Sequence, residues 1–287
     1  MPSELTTFAS RLRTFIQQLP HLWASTHPTN TAYASSLSPD PTLPGGYADS
    51  PETRNRLLFN MDKLSIPHPN RPLFLAVNKL VLAYMSSPRY DPSHDYEHIQ
   101  RVVKYTHELY VAEKAASRLP PNLDLTTMYL AAMMHDVGET KYLEAGRSQT
   151  DVVREKMLAC GATSRLAEDV ATIAVNVSYT REATAKDKTL VYAIMARHPE
   201  LAFVQDADRL DAIGPCGQAR CFVYGGANET RRGQSIHTGV QLHHTRFCNY
   251  VGMMKTGSGR EKAVGRWEWM GRFRREWGVD TDVSSVL

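Results

Sequence analysis

One segment restricts the fold of this chain more than any other. Residues 126–136 run from Thr126 through Ala131-Ala132-Met133-Met134, are apolar nearly all round, and end on His135-Asp136. A helix without a polar face has to be enclosed by other elements. The segment therefore predicts the buried centre of a helical bundle, with Gly138 placed to end it. The surrounding chain supplies the enclosing helices. Pro72 stands as a first-turn proline ahead of Leu73, Ala76, Val77, Leu80, Val81 and Tyr84 at helical spacing. Ile99, Val102, Val103, Thr106 and Tyr110 mark a second amphipathic helix. Asp151 to Cys160 mark a fourth, stopped by Gly161, and residues 165–177 a fifth. Pro199 opens a helix through Leu201, Val204, Asp208 and Asp211, and Gly214-Pro215 ends it. Residues from about 260 to 277 place Val264, Trp267, Met270, Phe273 and Trp277 on one face. Strand signals are weak throughout. The expected architecture is a single all-α bundle over residues 71–280 behind an N-terminal extension, 1–70.

Composition agrees with such a bundle and narrows its partners. With 42% hydrophobic and 22% charged residues, a chain of 287 can bury a sizeable core. The net charge of +3 is too small to argue for nucleic acid or a membrane surface. No apolar run approaches the ~18 residues of a membrane span. Cys160, Cys216, Cys221 and Cys248 form no C-x-x-C pair, which argues against a zinc ribbon and suits a reducing, cytoplasmic setting. Residues 1–39 hold one acid, Glu4, beside Arg11, Arg13 and a helically spaced Leu5, Phe8, Leu12, Phe15 and Ile16. That pattern fits a mitochondrial transit peptide and also a short docking helix followed by a loop, which we prefer.

A carboxylate at the end of the most apolar helix needs compensation. A capped or salt-bridged helix end would provide it. So would a divalent metal, whose charge offsets the carboxylate and whose coordination uses neutral imidazole. The pair is not isolated: His98 lies on a preceding helix, and Asp208 lies within Gln205-Asp206-Ala207-Asp208-Arg209-Leu210-Asp211. Three acids in seven positions of a partly apolar helix are unusual for packing alone. Mixed imidazole and carboxylate ligands suit Mn, Fe, Co, Ni or Zn better than Ca.

The order H…HD…D resembles the signature of the HD superfamily. Its first motif looks like His94-Asp95-Tyr96-Glu97-His98-Ile99-Gln100-Arg101-Val102, its second like His135-Asp136-Val137-Gly138-Glu139, and its third like Gln205 to Gly214. Segments Asn176-Val177-Ser178-Tyr179 and Ala219 to Gly226 add a resemblance to the YpgQ/YedJ-like HD phosphohydrolases, covering about residues 73–278. The resemblance implies His98, His135, Asp136 and Asp208 as ligands, with Asp206 as the rival for the last place. It implies one divalent ion, Mn first, with Mg, Co, Ni, Fe or Zn as alternatives. Between residues 137 and 207 the only histidine is His198, which disfavours a two-metal oxygenase. The implied activity is hydrolysis of a phosphate ester or phosphoanhydride, foremost release of pyrophosphate from a nucleoside triphosphate. The alternatives are a phosphomonoesterase and a non-catalytic metal- or nucleotide-binding module.

Within that chemistry Asp136 and Glu139 are the catalytic candidates. Glu139 would orient or deprotonate the water; its other reading is a solvent-facing acid beside Lys141. Lys141, Arg101 and Tyr179 are the candidate substrate contacts, with Arg181 and Lys186 as further cations nearby. Arg209 fits a structural pairing with neighbouring acids, and Arg101 has that alternative too. His94 fits a residue orienting a ligand or its loop; His107, His237, His243 and His244 fit structural or surface positions. The expected partner is a small phosphorylated molecule, a nucleotide by the resemblance, and homodimerisation stays open.

Overall fold

The computed structural model describes residues 58–287 apart from 88–89, 140–142, 144–145, 185–188, 229–230 and 232. The chain divides into Met1–Arg54 and Asn55–Leu287, and every described residue falls in the second unit. Lys141, Lys186 and the N-terminal segment with its transit-peptide and docking-helix readings lie outside the described residues. The described residues form helices and turns and contain no strand. The fold is all-α, as the apolar spacing predicts.

Helix α1 (Arg71–Met85) carries a proline in its first turn and buries Phe74, Val77, Val81 and Met85. Helix α2 (Tyr96–Ala115) is capped by Asp95, whose carboxylate accepts from the amides of Glu97 and His98. That cap holds His98 in the first turn. In α3 (Leu125–Met134) every residue from Thr126 to Met134 is buried. There follow α4 (Gln149–Ala159), α5 (Ser164–Val175), α6 (Tyr179–Ala183), α7 (Thr189–Arg197) and α8 (Glu200–Asp211). The chain closes with α9 (Gly214–Ala227), α10 (His237–Thr245), α11 (Tyr250–Met253) and α12 (Gly257–Asp280). Helices α1, α2, α5 and α8 pack around α3, which is the enclosure its missing polar face requires. Residues 58–70, expected to belong to the extension, are partly tied into the bundle: Ile66 is buried and the Phe59 amide donates to Asn78 at 2.7 Å.

Two boundaries differ from expectation in ways that matter for the site. The central helix ends at Met134, and His135-Asp136 occupies the turn beyond it. Gly138 completes that turn at φ +71°, where a Cβ would also meet Val152 at 2.9 Å. The Gln149 amide donates to the carbonyls of His135 (2.7 Å) and Val137 (3.3 Å), so the first turn of α4 braces the turn from the other side. Gly214-Pro215, read as a terminator, also opens α9 with proline in its first turn. Helices α6 and α7 leave little periodic signal: α6 buries no residue and α7 only Val191.

Candidate metal centre

The turn after α3, the first turn of α2 and the face of α8 bring four side chains together. His98 Nε2 stands 3.2 Å from His135 Nε2, 3.2 Å from Asp136 Oδ2 and 3.6 Å from Asp208 Oδ1. His135 Nε2 stands 3.4 Å from Asp136 Oδ1 and 3.9 Å from Asp208 Oδ1. Hydrogen-bond partners on the far side of each ring fix what these atoms can be. The Ala132 carbonyl lies 2.9 Å from His135 Nδ1 and can only accept, so Nδ1 carries the hydrogen and Nε2 of the neutral ring presents a lone pair. His98 Nδ1 likewise donates to Asp211 at 2.8 Å. Two lone pairs and two carboxylates therefore face one another. Asp136 Oδ2 is buried without a hydrogen bond of good geometry.

Such a collection of acceptors is repulsive unless a cation sits among them. Ligand atoms about 2.1 Å from an ion are separated from one another by about 3.0–3.4 Å at octahedral or tetrahedral angles. The measured spacings begin in that range, and His98, His135 and Asp208 each offer one donor within 4.8 Å of the others. Two imidazoles and two carboxylates fit a divalent transition ion. Burial and Arg220 oppose protonation of His98, yet Asp136 and Asp211 raise its pKa overall. Burial opposes ionisation of Asp136, but His135 and His98 hold its pKa well below the ordinary carboxylate value.

Asp211 anchors the arrangement from beneath. It is fully buried and accepts from His98 Nδ1, from Arg101 Nε at 2.7 Å, and from Arg220 at 2.7 Å. Burial alone would raise its pKa; His98 and the two arginines lower it instead. Arg220 also donates to the Ser93 carbonyl at 2.6 Å, tying α9 to the loop before α2. Arg101, a candidate substrate contact with an acid pairing as its alternative, has its guanidinium on Asp211 and is not among the residues that line the cavity. Asp206, the rival ligand, faces the other way. It accepts from the Lys255 and Thr256 amides and the Thr256 hydroxyl at the start of α12. Burial raises its pKa against those bonds. Arg209 is structural, but its carboxylate partner is Glu182 at 2.5 Å, neither Asp206 nor Asp211.

The cluster forms one wall of a cavity of about 640 Å³. Glu139, His94, Tyr179 and Arg181 line it, together with Arg220, Tyr224, Arg231 and Arg246, which the sequence did not single out. Their signal was partly present: Arg220 and Tyr224 lie in the accessory segment Ala219 to Gly226. Arg231 and Arg246 have none, because both follow α9 in a stretch of weak periodicity. Among the histidines set aside, His107 bonds the Tyr129 hydroxyl at 2.7 Å and His237 accepts from the Trp277 indole at 3.0 Å. His243 is buried among aromatic rings, and burial with Arg274 lowers its pKa to about 4.

Comparison with known proteins follows the same residues. Residues 95–213, from the cap of α2 to the end of α8, match the HD domain family. The YpgQ protein of Bacillus subtilis (strain 168) is 29% identical over 201 residues, covering 67% of this chain and 88% of its own. The crystal structure of Bacillus subtilis YpgQ in complex with ADP is similar at 25% identity and TM-score 0.54, covering 74% of this chain and 96% of that one. The Lin1889 protein of Listeria innocua shares the fold at 24% identity and TM-score 0.50, covering 77% and 99%.

Proposed function

We propose, on the premise that this chain carries an HD domain of the metal-dependent hydrolase superfamily, that it is a phosphohydrolase acting on a nucleotide phosphoanhydride. HD proteins are typically metal-dependent phosphohydrolases. The observation that carries the reading is the meeting of two imidazole lone pairs and two carboxylates on the wall of the cavity. The nucleotide is supported by the arginines that line the same cavity and by the ADP that YpgQ binds in its crystal structure.

His98, His135, Asp136 and Asp208 would hold one divalent ion, manganese first among the candidates. Bound there, such an ion supplies Lewis acidity and a water of lowered pKa. The chain does the rest. Asp211 and the Ala132 carbonyl keep both imidazoles in the ligating tautomer. Glu139, at the cavity wall, takes the proton from the attacking water as its oxygen bonds to phosphorus. The bond from phosphorus to the leaving oxygen breaks, and the leaving group departs with the bonding pair. Tyr179, on the wall of the same cavity, contacts the substrate.

The test is a panel of nucleoside mono-, di- and triphosphates with Mn, Mg, Co and Ni, with phosphate and pyrophosphate assayed separately. Hydrolysis should require added metal and stop in Asp208→Ala. Release of pyrophosphate without free phosphate selects the triphosphate substrate. Full activity of Asp208→Ala in chelated buffer sinks the proposed site.

A further inference from the structure

The arginines that face the cavity fall into two groups. Arg220 is neutralised by Asp211. Arg181, Arg231 and Arg246 line the cavity and form no ion pair among the described residues. Of these three, Arg246 is held on two sides. Its Nε donates to the Tyr250 hydroxyl at 2.8 Å, and its guanidinium lies over the Tyr179 ring, 4.7 Å from the centroid. Both supports are themselves fixed: Tyr250 is buried, and the Tyr179 hydroxyl accepts from Asn249 at 3.1 Å. Burial lowers the pKa of the Arg246 guanidinium, and Tyr250 foremost, then Asp208, raise it overall. Among the described residues, Arg181 is exposed and held only through Nε by Asn176, and Arg231 rests on the Tyr224 ring without a side-chain hydrogen bond.

We propose that Arg246 is the specificity-determining residue that binds the phosphate next to the one attacked, so that the cavity prefers phosphoanhydrides over phosphomonoesters. The inference rests on the phosphohydrolase reading and adds a residue to it. With Nε engaged, the two terminal nitrogens remain as a forked pair of donors, the geometry that matches two phosphate oxygens. A guanidinium fixed on its edge and its face loses little freedom when it binds. A divalent ion already balances the charge of a single terminal phosphate. A second phosphate brings further negative charge that needs a second cation, and Arg246 forms no ion pair among the described residues.

The full chain and its Arg246→Gln, Arg231→Gln and Tyr250→Phe variants are titrated calorimetrically with inorganic pyrophosphate and with inorganic phosphate, at one fixed free manganese concentration in cell and syringe. Arg246→Gln should weaken pyrophosphate at least tenfold and phosphate less than threefold. Arg231→Gln should change both less than threefold. Tyr250→Phe, which frees the guanidinium without removing it, should give an intermediate loss for pyrophosphate alone. Equal losses for the two anions, a larger effect from Arg231→Gln, or no preference for pyrophosphate in the unmodified chain overturns the assignment. Circular dichroism and thermal melting identify a variant that has lost its fold, and Arg246→Lys, which keeps the charge, should then recover part of the pyrophosphate affinity; no recovery counts against the assignment. Manganese stoichiometry and nucleotide turnover of the unmodified chain are measured in parallel. Their absence would defeat the phosphohydrolase reading, whereas failure of the pyrophosphate pattern defeats only the role of Arg246.

Discussion

At the scale of residues, the side chains behind the four candidate ligands decide what those ligands can be. A histidine that donates from Nδ1 offers a lone pair from Nε2, and here two such rings meet at 3.2 Å. Removing the orienting carboxylate should therefore cost metal affinity while the ligands remain. Asp211→Asn is expected to weaken manganese binding about 10- to 100-fold, measured by calorimetric titration of a variant shown to be folded. Asp206→Ala should do the reverse. Manganese affinity should stay within threefold, and stability should fall by about 2–4 kcal/mol as two amides and a hydroxyl lose a buried carboxylate, read from denaturant unfolding. The sequence exposed the His-Asp pair through the cost of a carboxylate beside an apolar helix, but it left Asp206 and Asp208 competing. The reason is physical: both faces of α8 are used, one packed on α12 and one opening on the cavity, so helical phase alone does not separate them. Arg101 kept two readings for a related reason, since a cation beside a phosphate site and a cation beside a buried acid look the same in one dimension.

At the scale of elements, α12 is held at its start by acids from two other helices. Asp206 from α8 and Glu113 from α2 accept the amides of Lys255, Thr256 and Ser258, where the helix dipole favours negative charge. Hydrogen bonds from Arg118 lead in lowering the Glu113 pKa from 4.5 to about 2, against burial and with help from Ser258. Because the folded pKa lies below the ordinary one, this contribution is complete above about pH 4.5 and is lost as pH falls toward 2. Glu113→Gln should flatten stability against pH across that window, measured by chemical denaturation at stepped pH. Close approach at the same junction gives a second prediction. A Cβ on Gly259 would fall 2.5 Å from Asp206 Oδ2 and 2.6 Å from Thr256 Oγ1. Gly259→Ala should destabilise by about 1–3 kcal/mol without altering manganese affinity. The long helices were legible because apolar residues recur along them. The short ones were not, since α6 and α11 are about one turn each and bury almost nothing that repeats.

At the scale of the whole described bundle, the enclosed apolar helix explains why the site lies where it does. Helix α3 is surrounded along its length, so its polar end emerges only beyond Met134, where His135 and Asp136 meet His98 of α2 and Asp208 of α8 on the cavity wall. The acceptor cluster stands on one wall, and arginines that form no ion pair among the described residues line the same cavity, so on the proposed function an anion would meet two kinds of positive partner, one borne by the ion and one by the chain. The second kind was invisible to sequence pattern, because Arg246 and Tyr179 meet only through folding. The central claim is that His98, His135, Asp136 and Asp208 form a one-ion site, and the most direct test is manganese stoichiometry by equilibrium dialysis on the full chain and on Asp208→Ala. One ion per unmodified chain, with binding reduced at least 100-fold in the variant, is the predicted result. Two ions per chain, or undiminished binding by Asp208→Ala, would contradict it.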